Sequence, residues 1–459
     1  MSLLRPPSPV TCPRFTAATV AEHRRSSPSG GASPRQLRAR LGGEDETDGG
    51  NRIRTRRAHG PSLQAKHYPS PSLPAKSASS PPRNRKGLGG SAMASPSASA
   101  PQPDRAALLK AFDEARTGVR GLVESGVSSV PDLFVHPEPY ASAPLAPPGV
   151  SIPVVDLSLP APVAAAAAAE AARTWGFFHL INHHQALGVP EDYPARALAA
   201  VRAFNELPAP ERAAHYGRAM PGGVSYFSNV DLFRAPAASW RDTIQIAFGP
   251  QRPDPARIPA VCRDEVVEWD AHATTVAGAL LRLLSEGLGL GPTRLEEASC
   301  LEGKAMVCHY YPLCPEPKRT RGIVSHTDPG VLTVLAQDGV GGLQVKQTDD
   351  DGESYWVDVK PMPGALVINV GDLLQIMSND KYKSVDHRVI MNTRNEARVS
   401  IAIFFNPGKR GDSDLYGPLP ELVSSDNPPK YRNFTMPEFL GAFFRRDLSS
   451  KALVDSFKL

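Results

Sequence analysis

Apolar residues are patterned along most of the chain but not at its start. Residues 1–92 are rich in Ser, Pro, Arg and Gly, with almost no aromatics and no readable period. From Asp104, Leu108, Leu109, Phe112, Ala115, Val119, Leu122 and Val123 recur at helical spacing, and Gly126 is the expected stop. The proline-rich stretch 136–150 reads as a linker and 151–158 (SIPVVDLS) as a short strand. An alanine-rich helix follows, with Pro162 near its start and Gly176 past its end. The aromatic and β-branched run 176–183 (GFFHLINH) predicts a buried strand. Helices are predicted over 193–208 and 263–290, the latter with Val266, Val276, Ala277, Leu280, Leu284 and Leu288 on one face. Beyond Gly303 the runs shorten: 305–311, 331–337, 343–347, 354–360, 365–370, 383–390 and 398–405 alternate with Gly, Pro, Asn and Asp turns. Strands this short and this closely spaced predict a sandwich or barrel. Thr435 and Glu438 form a capping box for a final helix, with Pro437 in its first turn.

Composition adds a boundary. The 459 residues allow two or three average domains, or one large domain with tails. The net charge of +4 is unevenly spread, because residues 1–92 are strongly basic and the remainder is mildly acidic. The basic segment cannot bury enough apolar surface to offset its ordering entropy, which predicts a disordered, low-complexity extension over 1–95. Three readings of it stand: an extension upstream of a start at Met93, an organelle transit peptide interrupted by the acidic GEDETDGG (43–50), or a basic nucleic-acid-binding arm. The rest divides into a helix and linker (96–150), a helix-rich segment (151–302), a strand-rich core (303–407) and a C-terminal segment with a helix (408–459). The five cysteines form no C-x-x-C pair, which argues for a reducing compartment. No apolar run reaches the roughly 18 residues of a membrane helix.

The chemistry begins at VSHTDPGVLTVLAQD (324–338). On a strand, His326 and Asp328 would face one side and Thr327 the other. Alone, such a pair is more often a satisfied structural contact than a metal site. In YKSVDHRVI (382–390), His387 sits between Val385 and Val389 on one face of a second strand. A buried imidazole there needs a partner, either a backbone carbonyl or a metal. Two His and one carboxylate form the facial triad of non-haem Fe(II) oxygenases. In ARVSIAIFFNP (397–407), Arg398, Ser400, Ala402 and Phe404 share a face. An inward arginine requires an anion, either an internal carboxylate or a ligand that its planar fork can grip.

These motifs resemble the plant 2-oxoglutarate- and Fe(II)-dependent dioxygenases: HTD, a His 59 residues later, and RVS 11 residues beyond it. CHYYPLCPEP (308–317), GGLQV (341–345), residues 356–389, IAIFFNP (401–407), IPVVDLS and WGFFHLINH agree, so the resemblance covers about residues 100–459. Within that family the chain most resembles the group called 1-aminocyclopropane-1-carboxylate oxidase homologues. The resemblance implies an α+β fold with a double-stranded β-helix (jelly-roll) core flanked by helices. It implies Fe(2+) on His326, Asp328 and His387. It also implies that Arg398 and Ser400 grip the distal carboxylate of 2-oxoglutarate, with a hydrogen bond from Tyr311. O2 would be the co-reactant and ascorbate the reductant. The expected reaction is hydroxylation or desaturation of a small plant metabolite, with succinate and CO2 as co-products. The expected protein is a cytoplasmic monomer with no nucleic-acid or membrane partner, or a plastid one if 1–92 is a genuine transit peptide. The rivals are an ascorbate-dependent oxidase of the ethylene-forming type and a catalytically silent jelly-roll that binds a small molecule.

Two departures from the family pattern stand out. His309 occupies a position where many relatives have asparagine, beside the cosubstrate. INHHQALGVP (181–190) carries about four extra residues, 184–187, expected to form a local loop away from the iron. Phe404 is the candidate substrate-contacting aromatic, and Tyr226 and Phe227 are candidates for the mouth of the pocket. His179 and His183 are expected to be core or turn histidines, and Trp240, Arg241 and Asp242 to pack and pair structurally.

Overall fold

Strands that bury both faces feed two separate cores, and this property sets the architecture. The computed structural model describes residues 104–137, 144–445 and 452–459, all within one compact unit spanning Ser95–Leu459. The basic segment and the centre of the proline-rich linker lie outside the described residues. The strands are β1 (Val154–Asp156), β2 (Phe177–Ile181), β3 (Val224–Phe227), β4 (Asp242–Ala247), β5 (Gly303–Tyr311), β6 (Arg321–His326), β7 (Leu332–Gln337), β8 (Leu343–Thr348), β9 (Ser354–Asp358), β10 (Leu366–Val370), β11 (His387–Ile390) and β12 (Arg398–Asn406). They form an eight-stranded sheet in the order β1-β2-β10-β7-β12-β5-β4-β3 and a four-stranded sheet β6-β11-β8-β9. Every pairing except β1–β2 is antiparallel. This is a jelly-roll with helices on one side.

Side-chain alternation assigns the two cores. Phe178, Leu180, Ile368, Val334, Ile401, Ile403, Cys308 and Ile244 point outward from the large sheet into the core built with the helices. Phe177, Val367, Leu335 and Tyr311 point the other way, onto Ile323, Leu343, Val345 and Val389 of the small sheet. The helices are α1 (Arg105–Glu114), α2 (Gly118–Glu124), α3 (Ala161–Thr174), α4 (His183–Leu187), α5 (Tyr193–Asn205), α6 (Ala209–His215), α7 (Ala260–Gly287), α8 (Arg294–Glu297), α9 (Asp372–Met377), α10 (Met436–Phe444) and α11 (Ala452–Asp455). The stripe expected on the long helix is buried throughout, each of its Val and Leu side chains contributing roughly 1.5–3 kcal/mol. α3 crosses α7 closely: a Cβ at Gly287 would lie 2.4 Å from that of Ala169, so the small residues on both helices set the approach. No helix among the described residues is long and apolar enough to cross a membrane.

Several sequence expectations change here. The helix expected from Asp104 to Gly126 is two helices, broken where Arg116 and Gly118 take positive φ of 55° and 67°. The cause is tertiary: the buried Asp242 carboxylate accepts the N–H groups of Val119 and Arg120, both at 2.8 Å, and so caps α2. Extra residues 184–187 do not form an open loop but most of the single turn α4, ended by Gly188 in the left-handed region. The capping box at α10 is half made. Thr435 accepts the Glu438 N–H at 3.3 Å, but the Glu438 carboxylate pairs with Arg432 instead. β3, β4 and the whole of β6 were not delimited by the pattern, and β11 begins only at His387, so Val385 precedes the strand.

Candidate metal and cosubstrate site

His326 ends β6 and His387 begins β11, and the two are paired directly across the ladder. Asp328 is not on the strand with His326, as alternation required; β6 stops at His326, and Asp328 sits in the turn that follows. The turn is fixed by its neighbours. The N–H of Asp372 donates to the Asp328 carbonyl at 2.8 Å, Thr327 donates to the Asp372 carboxylate at 3.0 Å, and the Val331 N–H reaches Phe405 O at 2.9 Å. Gly371 lets the two segments touch, since a Cβ there would lie 2.1 Å from Gly330 O.

The result is a cluster in which one ligand atom from each of His326, Asp328 and His387 lies within 4.8 Å of the others. Asp328 Oδ1 is 3.7 Å from His326 Nε2 and 3.5 Å from His387 Nε2. The other oxygen is engaged: Oδ2 accepts from Thr333 at 2.7 Å and Asn369 at 2.8 Å. Both imidazoles place Nδ1 against a backbone carbonyl, His326 on Val324 (2.9 Å) and His387 on Val385 (3.3 Å). With the proton on Nδ1, each Nε2 presents a lone pair. Burial, then the neighbouring His387, pushes His326 down to about 4, so its ring is neutral. Burial alone would raise Asp328, but His387, His326 and the two donors on Oδ2 outweigh it and hold the carboxyl ionised. Two imidazole Nε2 atoms and a carboxylate with one uncommitted oxygen fit a divalent first-row metal.

The neighbouring pocket follows from the register of β12. Arg398, Ser400, Ala402 and Phe404 lie opposite Tyr311, His309, Val307 and Ala305 of β5, all on the face toward the small sheet. Arg398 is 2% exposed and makes no ion pair among the described residues. Its Nη1 lies 2.9 Å from Ser400 Oγ, its Nη2 3.0 Å from Gln337 Oε1, and its Nε has no partner. The guanidinium stands 5.0 Å from the centre of the Tyr311 ring. Arg398, Ser400 and Tyr311 therefore meet, and among the described residues no internal carboxylate takes the arginine.

Of the remaining candidates, His309 is brought to the site: Nδ1 contacts Thr243 Oγ1 at 3.0 Å, and burial, then Arg241 and Arg398, keeps the ring neutral. Phe404 is half-buried beside Thr333, which bonds Asp328. Phe227 lies opposite Thr243 near the sheet edge. Tyr226 does not line the mouth. Alternation turns it outward, where its ring packs edge-on against Phe204 (4.9 Å) and Tyr216 (5.8 Å) under the helices. His179 and His183 are buried and are not in the cluster. Sequence reasoning missed Thr333, Asn369 and Gln337. An Asn inside the buried run LVINV was the available signal, because such a group must find a partner. Arg241, expected to pack and pair structurally, donates to Gly322 O across the space between the sheets.

Jelly-roll, His–Asp–His cluster and unpaired inward arginine together define a non-haem iron oxygenase. Comparison with known proteins agrees. Residues 302–407 match the family model of the 2OG-Fe(II) oxygenase superfamily, and residues 152–265 match that of the N-terminal region of the non-haem dioxygenase in morphine synthesis. Two Arabidopsis thaliana proteins, 1-aminocyclopropane-1-carboxylate oxidase homologs 3 and 4, are 42% and 43% identical, over 78% and 76% of this chain and 97% of each relative. A crystal structure of JOX2 in complex with 2OG, Fe and JA superposes with a TM-score of 0.65 at 34% identity, covering 74% of this chain and 97% of that one. The rice dioxygenase for auxin oxidation superposes with a TM-score of 0.55 at 25% identity, covering 67% and 100%. The chain belongs to the 2OG-Fe(II) oxygenase superfamily, within the plant group of 1-aminocyclopropane-1-carboxylate oxidase homologues, and is an oxidoreductase.

Proposed function

We propose that His326, Asp328 and His387 hold Fe(II), that Arg398, Ser400 and Tyr311 take the distal carboxylate of 2-oxoglutarate, and that the enzyme hydroxylates or desaturates a small plant metabolite. The observation that carries this reading is a pairing: an Asp328 oxygen left free beside two imidazole Nε2 atoms, and a buried guanidinium that makes no ion pair among the described residues. When bound, Fe(II) with 2-oxoglutarate and O2 supplies an oxidant for an unactivated C–H bond and yields succinate and CO2. The chain's own residues prepare that chemistry. Val324 and Val385 carbonyls orient the imidazoles, Asn369 and Thr333 turn one Asp328 oxygen outward, and Gln337 holds Arg398 in place. Phe177, edge-on to His387 at 5.2 Å, keeps water from that ligand.

In this reading ascorbate serves as reductant, and the enzyme works as a cytoplasmic monomer without nucleic acid. The mildly acidic body and the four free described cysteines support that setting. The test is succinate release by the purified full chain with Fe(II), ascorbate and 2-oxoglutarate. Asp328→Ala should lower it at least 100-fold. Arg398→Lys, which loses the planar fork, should raise the 2-oxoglutarate concentration needed about tenfold or more. Near-normal turnover in the first variant removes the iron assignment. Consumption of ascorbate without loss of 2-oxoglutarate replaces the cosubstrate.

A further inference from the structure

Arg398 is not the only buried cation between the sheets. Arg241 precedes β4, whose Asp242 and Thr243 pair with Tyr310 and His309, so Arg241 continues the row alongside Tyr311. Its side chain spans the two sheets, with Nη1 donating to Gly322 O of β6 at 2.8 Å. At that point β6 lies close against Tyr311: a Cβ on Gly322 would meet the Tyr311 ring at 2.9 Å. Arg241 is 4% exposed, its Nε is buried without a partner, and it makes no ion pair among the described residues. Its charge acts on His309, Tyr311 and His326 together, which places it among them.

Charge balance makes this arginine anomalous. In the reading above, the charges of Fe(II) and Arg398 are matched by Asp328 and the two carboxylates of 2-oxoglutarate. Arg241 is then one positive charge in excess, in a space where an unpaired ion is costly. One arm of its fork is anchored on Gly322 and the remaining N–H groups are uncommitted. Beside it, His309, whose Nδ1 meets Thr243 Oγ1 at 3.0 Å, offers a second neutral hydrogen-bonding group.

We infer that the substrate is a carboxylic acid and that Arg241 receives its carboxylate. The inference rests on the cosubstrate reading, because it assigns Arg398 to 2-oxoglutarate and leaves Arg241 for the substrate. The test uses the full chain loaded with Mn(II) and 2-oxoglutarate, titrated calorimetrically with matched pairs: phenylacetate, cinnamate, indole-3-acetate and dodecanoate, each against its primary amide. In at least one pair the acid should bind ten times more tightly than the amide. Arg241→Gln should erase that preference while leaving 2-oxoglutarate affinity within threefold, and Arg241→Lys should keep part of it. Equal binding of acid and amide in every pair overturns the inference, as does a preference that survives Arg241→Gln. Loss of 2-oxoglutarate affinity in Arg241→Gln also overturns it and moves Arg241 to the cosubstrate. Should either variant fail to fold, the acid-to-amide ratio of the unaltered protein still decides. If the unaltered protein binds no 2-oxoglutarate, the cosubstrate reading fails, while the acid-to-amide comparison, repeated without 2-oxoglutarate, answers separately for Arg241.

Discussion

The division of labour between the two oxygens of Asp328 decides how well this site can hold a metal. Oδ2 accepts two hydrogen bonds and is spent; Oδ1 faces the imidazoles and is available. Asn369 and Thr333 thus fix which oxygen binds and keep the carboxyl charged despite its burial. Partners of this kind change metal affinity by about 10–100-fold when removed. Asn369→Ala should therefore weaken Fe(II) or Zn(II) binding by about tenfold or more, read by metal titration, while the fold persists. Thr333→Val, which keeps the volume and deletes the donor, should act in the same direction. Unchanged metal affinity in both variants would show that the turn alone positions Asp328.

At the scale of elements, the site depends on a contact between two segments well separated in sequence, the turn after β6, with Asp328, and the Gly371–Asp372 step at the start of α9, 44 residues on. Gly371→Ala inserts a methyl where Gly330 O already lies 2.1 Å from the required position, and that oxygen is backbone. The turn must shift, and Asp328 with it. The expected outcome is a loss of stability on the order of 1–3 kcal/mol, as for overpacked sites, together with weaker metal binding. A variant that melts like the parent and binds metal normally would deny the turn its positioning role. This contact also marks what the sequence could show. Residue types and spacing named His326, Asp328, His387 and Arg398, because few other partners suit buried imidazoles and guanidiniums. The premise that put His326 and Asp328 on one strand did not hold, since β6 ends between them and hydrogen bonds to distant residues do the aligning. β4 carries a readable signal, with Ile244, Ile246 and Phe248 alternating against Thr243, Gln245 and Ala247. The break between α1 and α2 was not readable at all, because its cause is Asp242, more than a hundred positions away. Arg241 was hidden in the same way, its acceptor Gly322 being 81 residues further on.

Across the whole molecule, the two cores trap imidazoles that are not part of the metal cluster. His136 and His183 are 8% and 1% exposed, and burial foremost pushes each down to about 4. Arg321 adds to the effect on His136, and His184 to that on His183. A histidine with an ordinary pKa near 6.5 when unfolded and about 4 when folded binds its proton more readily in the unfolded chain across that interval. Its contribution is therefore complete above about pH 6.5 and is lost as pH falls toward 4. With two such groups, and roughly 1–3 kcal/mol at stake for each, acid should open this protein well before its carboxylates are protonated. The urea midpoint of the metal-free chain, followed from pH 7.5 to 4.5, should fall steeply below pH 6.5. In His136→Gln/His183→Gln the starting stability should be lower, since neither amide packs as an imidazole does, but the descent should be shallower. Metal-free protein is the right material, because bound metal would add its own release to the same interval; His326, also held down to about 4, titrates alike in parent and variant, so the difference between the two slopes reports His136 and His183. A double variant that loses stability with the parent's slope would mean that protons enter elsewhere and that these two buried rings do not govern the acid limit of the fold.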